Sequence, residues 1–268
     1  MTARTLEPFD ADAVRAWTLG SGRRGVLLLH GFAGTPPELR RLGEHLAAHG
    51  YRCHAPALAG HALSPEDLER TTRHDWVRSA QDALESLAGA CDTVMVAGQS
   101  MGGTIALHLA ATDLRVAAVA TLAAPVWLSA LVTRALPVAR RVVRWQRPGS
   151  DVDLYDLAAI EELHSLGRRP MRAIHEFSLL LGDVRNELAS IRAPVLVLHG
   201  GRDRTIDPAN AREIERRLVC SRAVERQTFP RSGHGMSVDV DRDEINARVL
   251  SWFDEHATRQ ARVRDAAG

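Results

Sequence analysis

Four stretches of the chain are apolar without interruption: Val26 to His30, Thr93 to Ala97, Val116 to Leu122 and Val195 to His199. A strand with one face in water alternates apolar and polar side chains. Unbroken runs therefore predict parallel strands covered by helices on both faces. The intervening sequence supplies those helices. Leu39, Leu42 and Leu46 form one apolar stripe that ends at Gly50, and Trp76, Val77, Ala80, Leu84 and Leu87 form another that stops near Gly89. Further on come a helix from about Pro208 to Leu218, a strand from Val224 to Phe229 and a helix from Arg242 to His256; the polar tail from Thr258 is expected to fray. This alternation defines an α/β fold with a mostly parallel, doubly wound sheet.

One stretch breaks the rhythm. Between 126 and 191 helical patterns recur, notably from Met171 to Ile191, with no convincing strand. That is far longer than the roughly 2–6 residues usual for a loop in an α/β unit. The expectation is one domain over 1–268 with a small helical cap inserted at 126–191, after the strand at 116–122, lying over the sheet edge where such folds bind ligands. The formal net charge of +1 argues against nucleic acid as a partner, because phosphate binding needs an excess of Lys and Arg. No apolar run approaches the roughly 20 residues that span a bilayer. Met1 to Ala16 carries Glu7, Asp10 and Asp12 where a secretory leader would be apolar. Cys53, Cys91 and Cys220 are odd in number and far apart, and read as free thiols. A cytoplasmic location is expected.

The chemistry centres on Gly98-Gln99-Ser100-Met101-Gly102-Gly103, which follows an apolar strand and opens a helix from Thr104 to Ala111. That is the setting of a nucleophile elbow, G-x-S-x-G: the glycines let the backbone turn sharply and keep bulk away from the serine. A serine hydroxyl is a weak nucleophile and needs a base. His234, in Arg231-Ser232-Gly233-His234-Gly235 just past the strand at 224–229, is the candidate base. Asp203, in His199-Gly200-Gly201-Arg202-Asp203, is the candidate acid to orient it. All three then lie at the C-terminal ends of parallel strands. Asp207 is the reserve acid, although Asp207-Pro208 suits a helix start better. A tetrahedral oxyanion needs two donors already aimed at it; the backbone N–H groups of Phe32, in His30-Gly31-Phe32-Ala33-Gly34, and of Met101 are the natural pair. His30 reads as a turn-stabilising imidazole. His45 and His49 have the i, i+4 spacing of a metal pair but lack the intervening glutamate of a zincin. With no P-loop, no G-x-G-x-x-G and no clustered cysteines, no cofactor and no metal are expected.

Taken together, His30-Gly31-Phe32, Tyr51 to Pro56, Gly60-His61, Gly98 to Gly103, His199 to Asp203 and Ser232-Gly233-His234 resemble the small bacterial carboxylesterases related to monoacylglycerol lipases, within the α/β-hydrolase superfamily. Pro65 to Leu68, Asp75-Trp76 and Gly182 to Arg185 extend the resemblance over most of the chain. It implies an α/β-hydrolase fold with a compact helical cap and a cofactor-free ester hydrolase active on short to medium acyl chains. It also implies a triad of Ser100, Asp203 and His234 with oxyanion donors at Phe32 and Met101. The alternatives are a monoacylglycerol or lysophospholipid lipase, an acyltransferase or cofactor-free perhydrolase, and an inactive hydrolase fold serving as a small-molecule receptor. The partner is a small-molecule ester, and the sequence leaves the oligomeric state open.

The region from Val126 to Asp156 resembles that group least. Between Val126 and Ser150 it carries Arg134, Arg140, Arg141, Arg144 and Arg147 and no acidic residue, interleaved with Leu131, Leu136, Val138, Val142, Val143 and Trp145. The simpler expectation is that the apolar residues line an acyl pocket while the arginines face water or pair with acids. The alternatives are weak contact with an anionic lipid surface and attraction of an anionic substrate.

Overall fold

The computed structural model describes residues 12–147 and 153–265. The acidic residues Glu7 and Asp10 and the segment around Ser150 lie outside the described residues. In chain order come β1 (Trp17–Leu19), β2 (Arg24–Leu29), α1 (Arg40–Ala48), β3 (Tyr51–Ala55), α2 (Pro65–Arg70), α3 (Arg73–Ala90), β4 (Thr93–Gln99), α4 (Met101–Thr112) and β5 (Val116–Leu122). There follow α5 (Ala130–Val142), β6 (Trp145–Gln146), β7 (Arg169–Pro170), α6 (Met171–Glu187), β8 (Val195–Gly200), α7 (Ala209–Arg217), β9 (Val224–Phe229) and α8 (Arg242–Asp265). A seven-stranded sheet runs β1-β3-β2-β4-β5-β8-β9, parallel throughout except where β1 pairs antiparallel with β3.

The unbroken runs occur because each strand has apolar cover on both sides. Leu27, Leu29, Val96, Val119 and Val197 face one core, packed by Trp76 and Leu84 of α3 and by Ile105 and Leu109 of α4. Their neighbours Val26, Leu28, Met95, Ala120 and Leu198 face the other, packed by Leu42 and Leu46 of α1 and by Val249, Trp252 and Phe253 of α8. Successive side chains point to opposite faces, so a strand between two helical layers must be apolar at every position. Gly50 ends α1 at φ +83°, a conformation that favours glycine.

Three elements depart from the sequence expectation. The inserted segment does contain strand: β6 and β7 pair as a two-residue antiparallel ribbon, Trp145 with Pro170 and Gln146 with Arg169. Elements this short leave no periodic trace. The last helix is longer than expected: α8 continues past His256 to Asp265, where the sequence has no glycine or proline and includes good helix formers such as Ala261. The helices of the inserted segment also divide in role. Phe177, Leu180, Leu181 and Val184 of α6 belong to the main core, whereas Leu136 is the only buried residue of α5. Leu131, Val138 and Val142 are 81%, 63% and 77% exposed, so these three apolar residues of α5 face outward and line no internal pocket. No helix among the described residues is long and apolar enough to cross a membrane.

Candidate active site

β4 ends at Gln99, and the chain reverses into α4 at Ser100, whose backbone sits at φ 54°, ψ −119°. Three glycines make room for this turn. A Cβ on Gly98 would lie 2.2 Å from the Gly102 carbonyl, one on Gly102 would lie 1.9 Å from the Leu29 carbonyl oxygen, and one on Gly103 would lie 2.7 Å from Ala124 Cβ. The Ser100 N–H donates to Leu122 O at 2.8 Å, which fastens the turn to β5.

The loops after β8 and β9 meet beside this elbow. A Cβ on Gly200 would lie 2.2 Å from the Gly233 carbonyl oxygen, and Arg202 N–H donates to Ser232 O at 3.0 Å. Gln99 Nε2 donates to His234 O at 2.6 Å, joining the His234 loop to the end of β4. His234 Nε2 lies 3.0 Å from Ser100 Oγ, and His234 Nδ1 lies 2.9 Å from Asp203 Oδ2. Because the carboxylate can only accept, Nδ1 carries the proton, Nε2 is the lone-pair nitrogen and the Ser100 hydroxyl donates to it.

Asp203 is buried. Burial opposes its ionisation, but hydrogen bonds from His199, His234 and the Ile206 N–H outweigh that, and its carboxyl is held well below the usual carboxylate range. The reserve acid is elsewhere: Asp207 Oδ1 accepts the Ala209 N–H at 2.8 Å and serves the start of α7. His199 is a partner the sequence reading missed. It is buried, with Nε2 3.1 Å from Asp203 Oδ2 and 3.2 Å from Ile206 O. Two acceptors around Nε2 make it a donor, so Asp203 is held between two imidazoles.

The loop after β2 lies against the elbow, with Gly31 beside it: a Cβ there would be 3.5 Å from Ser100 Cβ. Among the described residues neither the Phe32 nor the Met101 N–H has a protein acceptor. Met101 opens α4, where the helix dipole favours negative charge. Phe32 is pinned by its ring, stacked on Phe177 with centroids 5.4 Å apart and edge-on to Trp76 at 5.8 Å. His30 donates from Nδ1 to Gly31 O at 2.9 Å and accepts the Leu58 N–H at Nε2, 3.1 Å. It is fully buried, which pushes its pKa down to about 4. Glu38, also missed, accepts the Gly31 N–H at 3.0 Å and the Thr35 N–H at 3.3 Å, and burial pushes its carboxyl up.

His49 Nδ1 is spent on the His45 carbonyl at 2.8 Å, and no group of three or more His, Cys, Asp or Glu among the described residues could hold a metal ion. Cys53 and Cys91 are buried and Cys220 is exposed, all free thiols.

A parallel sheet with a serine at this turn, and with an imidazole and a carboxylate delivered by the last two strands, defines an α/β-hydrolase. Residues 20–241 match the family described as serine aminopeptidase, S33, and the chain belongs to that family. It is 32% identical over 251 residues to a thermostable monoacylglycerol lipase of Bacillus sp. (strain H-257), covering 94% of this chain and 95% of the relative. It is 27% identical to a carboxylesterase of Bacillus subtilis (strain 168), covering 90% and 96%. A structure from work on two metagenome-derived lipolytic enzymes, LipS and LipT, superposes with a TM-score of 0.85 at 25% identity, covering 91% of this chain and 98% of that one. The chain is thus a serine hydrolase of the carboxylesterase type, in an esterase and lipase family that acts on ester bonds.

Proposed function

We propose that the protein hydrolyses carboxylic esters of short to medium acyl chains, with Ser100 as nucleophile, His234 as general base and acid, and Asp203 as the carboxylate that orients it. The observation that carries this reading is the pair of contacts from His234, 3.0 Å to Ser100 Oγ and 2.9 Å to Asp203 Oδ2. Ser100 Oγ attacks the ester carbonyl carbon as His234 Nε2 takes its proton. The carbonyl oxygen becomes an oxyanion, received by the N–H groups of Phe32 and Met101. As the C–O bond to the alcohol breaks, His234 returns the proton to the leaving oxygen and an acyl-Ser100 ester remains. Water repeats the sequence: His234 takes its proton, the acid is released and Ser100 Oγ is reprotonated. Asp203, low in pKa and buried, stays ionised throughout and stabilises the imidazolium.

A panel of p-nitrophenyl esters from C2 to C16, run on wild type and Ser100→Ala, tests the assignment. Turnover should be greatest in the shorter half of the panel and absent from the variant, and a fluorophosphonate should label Ser100 alone. Turnover by the alanine variant, or labelling elsewhere, sinks it. The 32% identity to a monoacylglycerol lipase supports a second reading, hydrolysis of glycerol monoesters at the same site. Monoacylglycerols compared with p-nitrophenyl esters of equal chain length separate the two.

The surface of α5 supports a weak lipid contact. Leu131, Val138 and Val142 share one exposed helix face beside the exposed Arg134 and Arg141, while Arg144 is committed to Glu69 at 2.8 Å. Sedimentation with anionic and zwitterionic vesicles at low and high salt tests this. Equal, negligible binding to both dismisses it.

A further inference from the structure

The segment inserted between β5 and β8 passes back over the site and is tied to all three of its loops. At the oxyanion loop, Leu166 N–H donates to Ala33 O at 3.0 Å and Thr35 Oγ1 donates to His164 O at 3.2 Å. At the other end Asp153 meets both loops that carry the acid and the base. Its backbone carbonyl accepts the N–H of His234 at 3.0 Å and of Gly235 at 3.3 Å. Its Oδ2 accepts three more bonds, from Arg204 N–H at 2.7 Å, Thr205 N–H at 2.9 Å and the Thr205 hydroxyl at 2.9 Å. Oδ1 is buried and lies 3.8 Å from Arg204 Nε.

The Thr205 N–H is shared. It also lies 2.9 Å from Asp203 Oδ1, which in addition takes the Ile206 N–H at 2.8 Å. The turn at 204–206 therefore pins one oxygen of Asp203, leaving Oδ2 for the two imidazoles of His234 and His199, and that turn is itself held by Asp153. Burying a carboxylate costs desolvation that an apolar side chain would not incur. What this one achieves is to fix the acid loop and the base loop at a single point.

We infer that Asp153 is a positioning residue of the hydrolytic site, its carboxylate setting the orientation of Asp203 through the 204–206 turn while its carbonyl anchors the His234 loop. The inference rests on the proposed roles of Ser100, His234 and Asp203. It makes the inserted segment part of the machinery that aligns the proton relay, in addition to any part it plays in receiving substrate.

The test uses the full chain with Asp153→Ala and Asp153→Asn, assayed on p-nitrophenyl acetate across pH. Misplacing a catalytic group by about 1 Å costs on the order of 100-fold, so the alanine variant should lose roughly 10- to 100-fold in kcat with little change in KM. The acidic limb of kcat/KM should also move to lower pH, because a loosened Asp203 stabilises the imidazolium less. Asparagine keeps a carbonyl oxygen for the same donors and should restore most of kcat. A merely structural role would lower the melting temperature or raise KM and leave the acidic limb in place. Wild-type kcat with an unmoved limb in the alanine variant, or a loss confined to KM, overturns the inference. Should that variant fail to fold, Thr205→Val, which removes only the hydroxyl donor, carries the same readouts. It should show a several-fold kcat loss and the same direction of limb shift, and no change in either overturns the inference. Ser100→Ala alongside separates the two levels. Turnover persisting there sinks the Ser–His–Asp reading itself, whereas a dead Ser100 variant beside an unaffected Asp153 variant sinks only the role of Asp153.

Discussion

Ser100 holds a backbone conformation, φ 54° and ψ −119°, that side chains on Cα disfavour. Replacing it by glycine and by alanine isolates that strain, because both substitutions remove the hydroxyl and its bond to His234. They differ in a Cβ and in backbone freedom. At an ordinary position glycine is the less stable of the two by about 0.5–1 kcal/mol, from the greater entropy it loses on folding. Here alanine keeps the strain, of order 1–3 kcal/mol for such a conformation, and glycine releases it. Taking about 2 kcal/mol for the strain and about 1 kcal/mol for the entropy, Ser100→Gly should be more stable than Ser100→Ala by about 1 kcal/mol. For a chain of this size that is a melting-temperature difference of roughly 2–4 °C. Urea unfolding followed by tryptophan emission reads it directly, since Trp76 and Trp252 are fully buried and report on opposite faces of the sheet. An alanine variant equal to or more stable than the glycine variant would refute the claim that the elbow stores strain.

Asp203→Asn should lower kcat by about 10⁴-fold through loss of the orienting carboxylate, whereas Asp207→Asn should leave kcat near wild type; rate measurements on both that give the reverse order reassign the acid. His30 and His61 are buried and neutral, with pKa values pushed by burial down to about 4 and about 3 from 6.5. The unfolded chain binds their protons first, so their contribution is fully present above pH 6.5 and is lost as pH falls towards 4 and 3. Asp203 acts in the same sense at lower pH and Glu38 in the opposite one. The urea midpoint should therefore drop steadily from pH 7 to pH 4, and a flat profile would contradict this. Gly102→Ala should yield no correctly folded protein, because its Cβ would meet the Leu29 carbonyl at 1.9 Å. Gly89→Ala, in α3 with nothing within 4 Å, should gain up to about 1 kcal/mol in the same unfolding assay.

The central strands were legible because full burial on both faces forces continuous apolar sequence. β3 was not read as a strand because its burial alternates, which leaves Arg52 and His54 half-exposed in a five-residue run. β1 is three residues long and carries no pattern at all. Ser100, His234 and Asp203 could be picked out because strand ends and glycines flag them. His199 and Glu38 were within reach: one lies next to the end of a strand four residues before Asp203, and the other closes the Thr35-Pro36-Pro37-Glu38 capping box. Each looked like punctuation, yet His199 Nε2 bonds Asp203 and the Glu38 carboxylate takes two backbone N–H groups of the loop after β2. Asp153 had no such signal. It lies in an irregular stretch, and only the return of the chain over two distant loops gives it partners.

β5 and β8 are hydrogen-bonded neighbours, with Val119 opposite Val195 and Leu122 opposite Leu198. The sheet therefore closes across the point where residues 123–194 leave it, and its strand pairing is continuous without them, although α6 returns to pack the core. Such an arrangement lets a lineage rewrite one stretch of chain while the chemistry stands still. The freedom is uneven, however. α5 sends a single buried side chain inward, so almost any amphipathic helix can replace it, and new substrates or new surfaces can be tried there at little cost to folding. From Asp153 to Leu166 the chain is fastened to the loops that carry Asp203, His234 and Phe32, the proposed acid, base and oxyanion donor. Change in this protein's relatives should accordingly concentrate in the first half of the insertion and stall at the second, and chimeras exchanging only 126–147 should keep activity where those exchanging the whole insertion lose it.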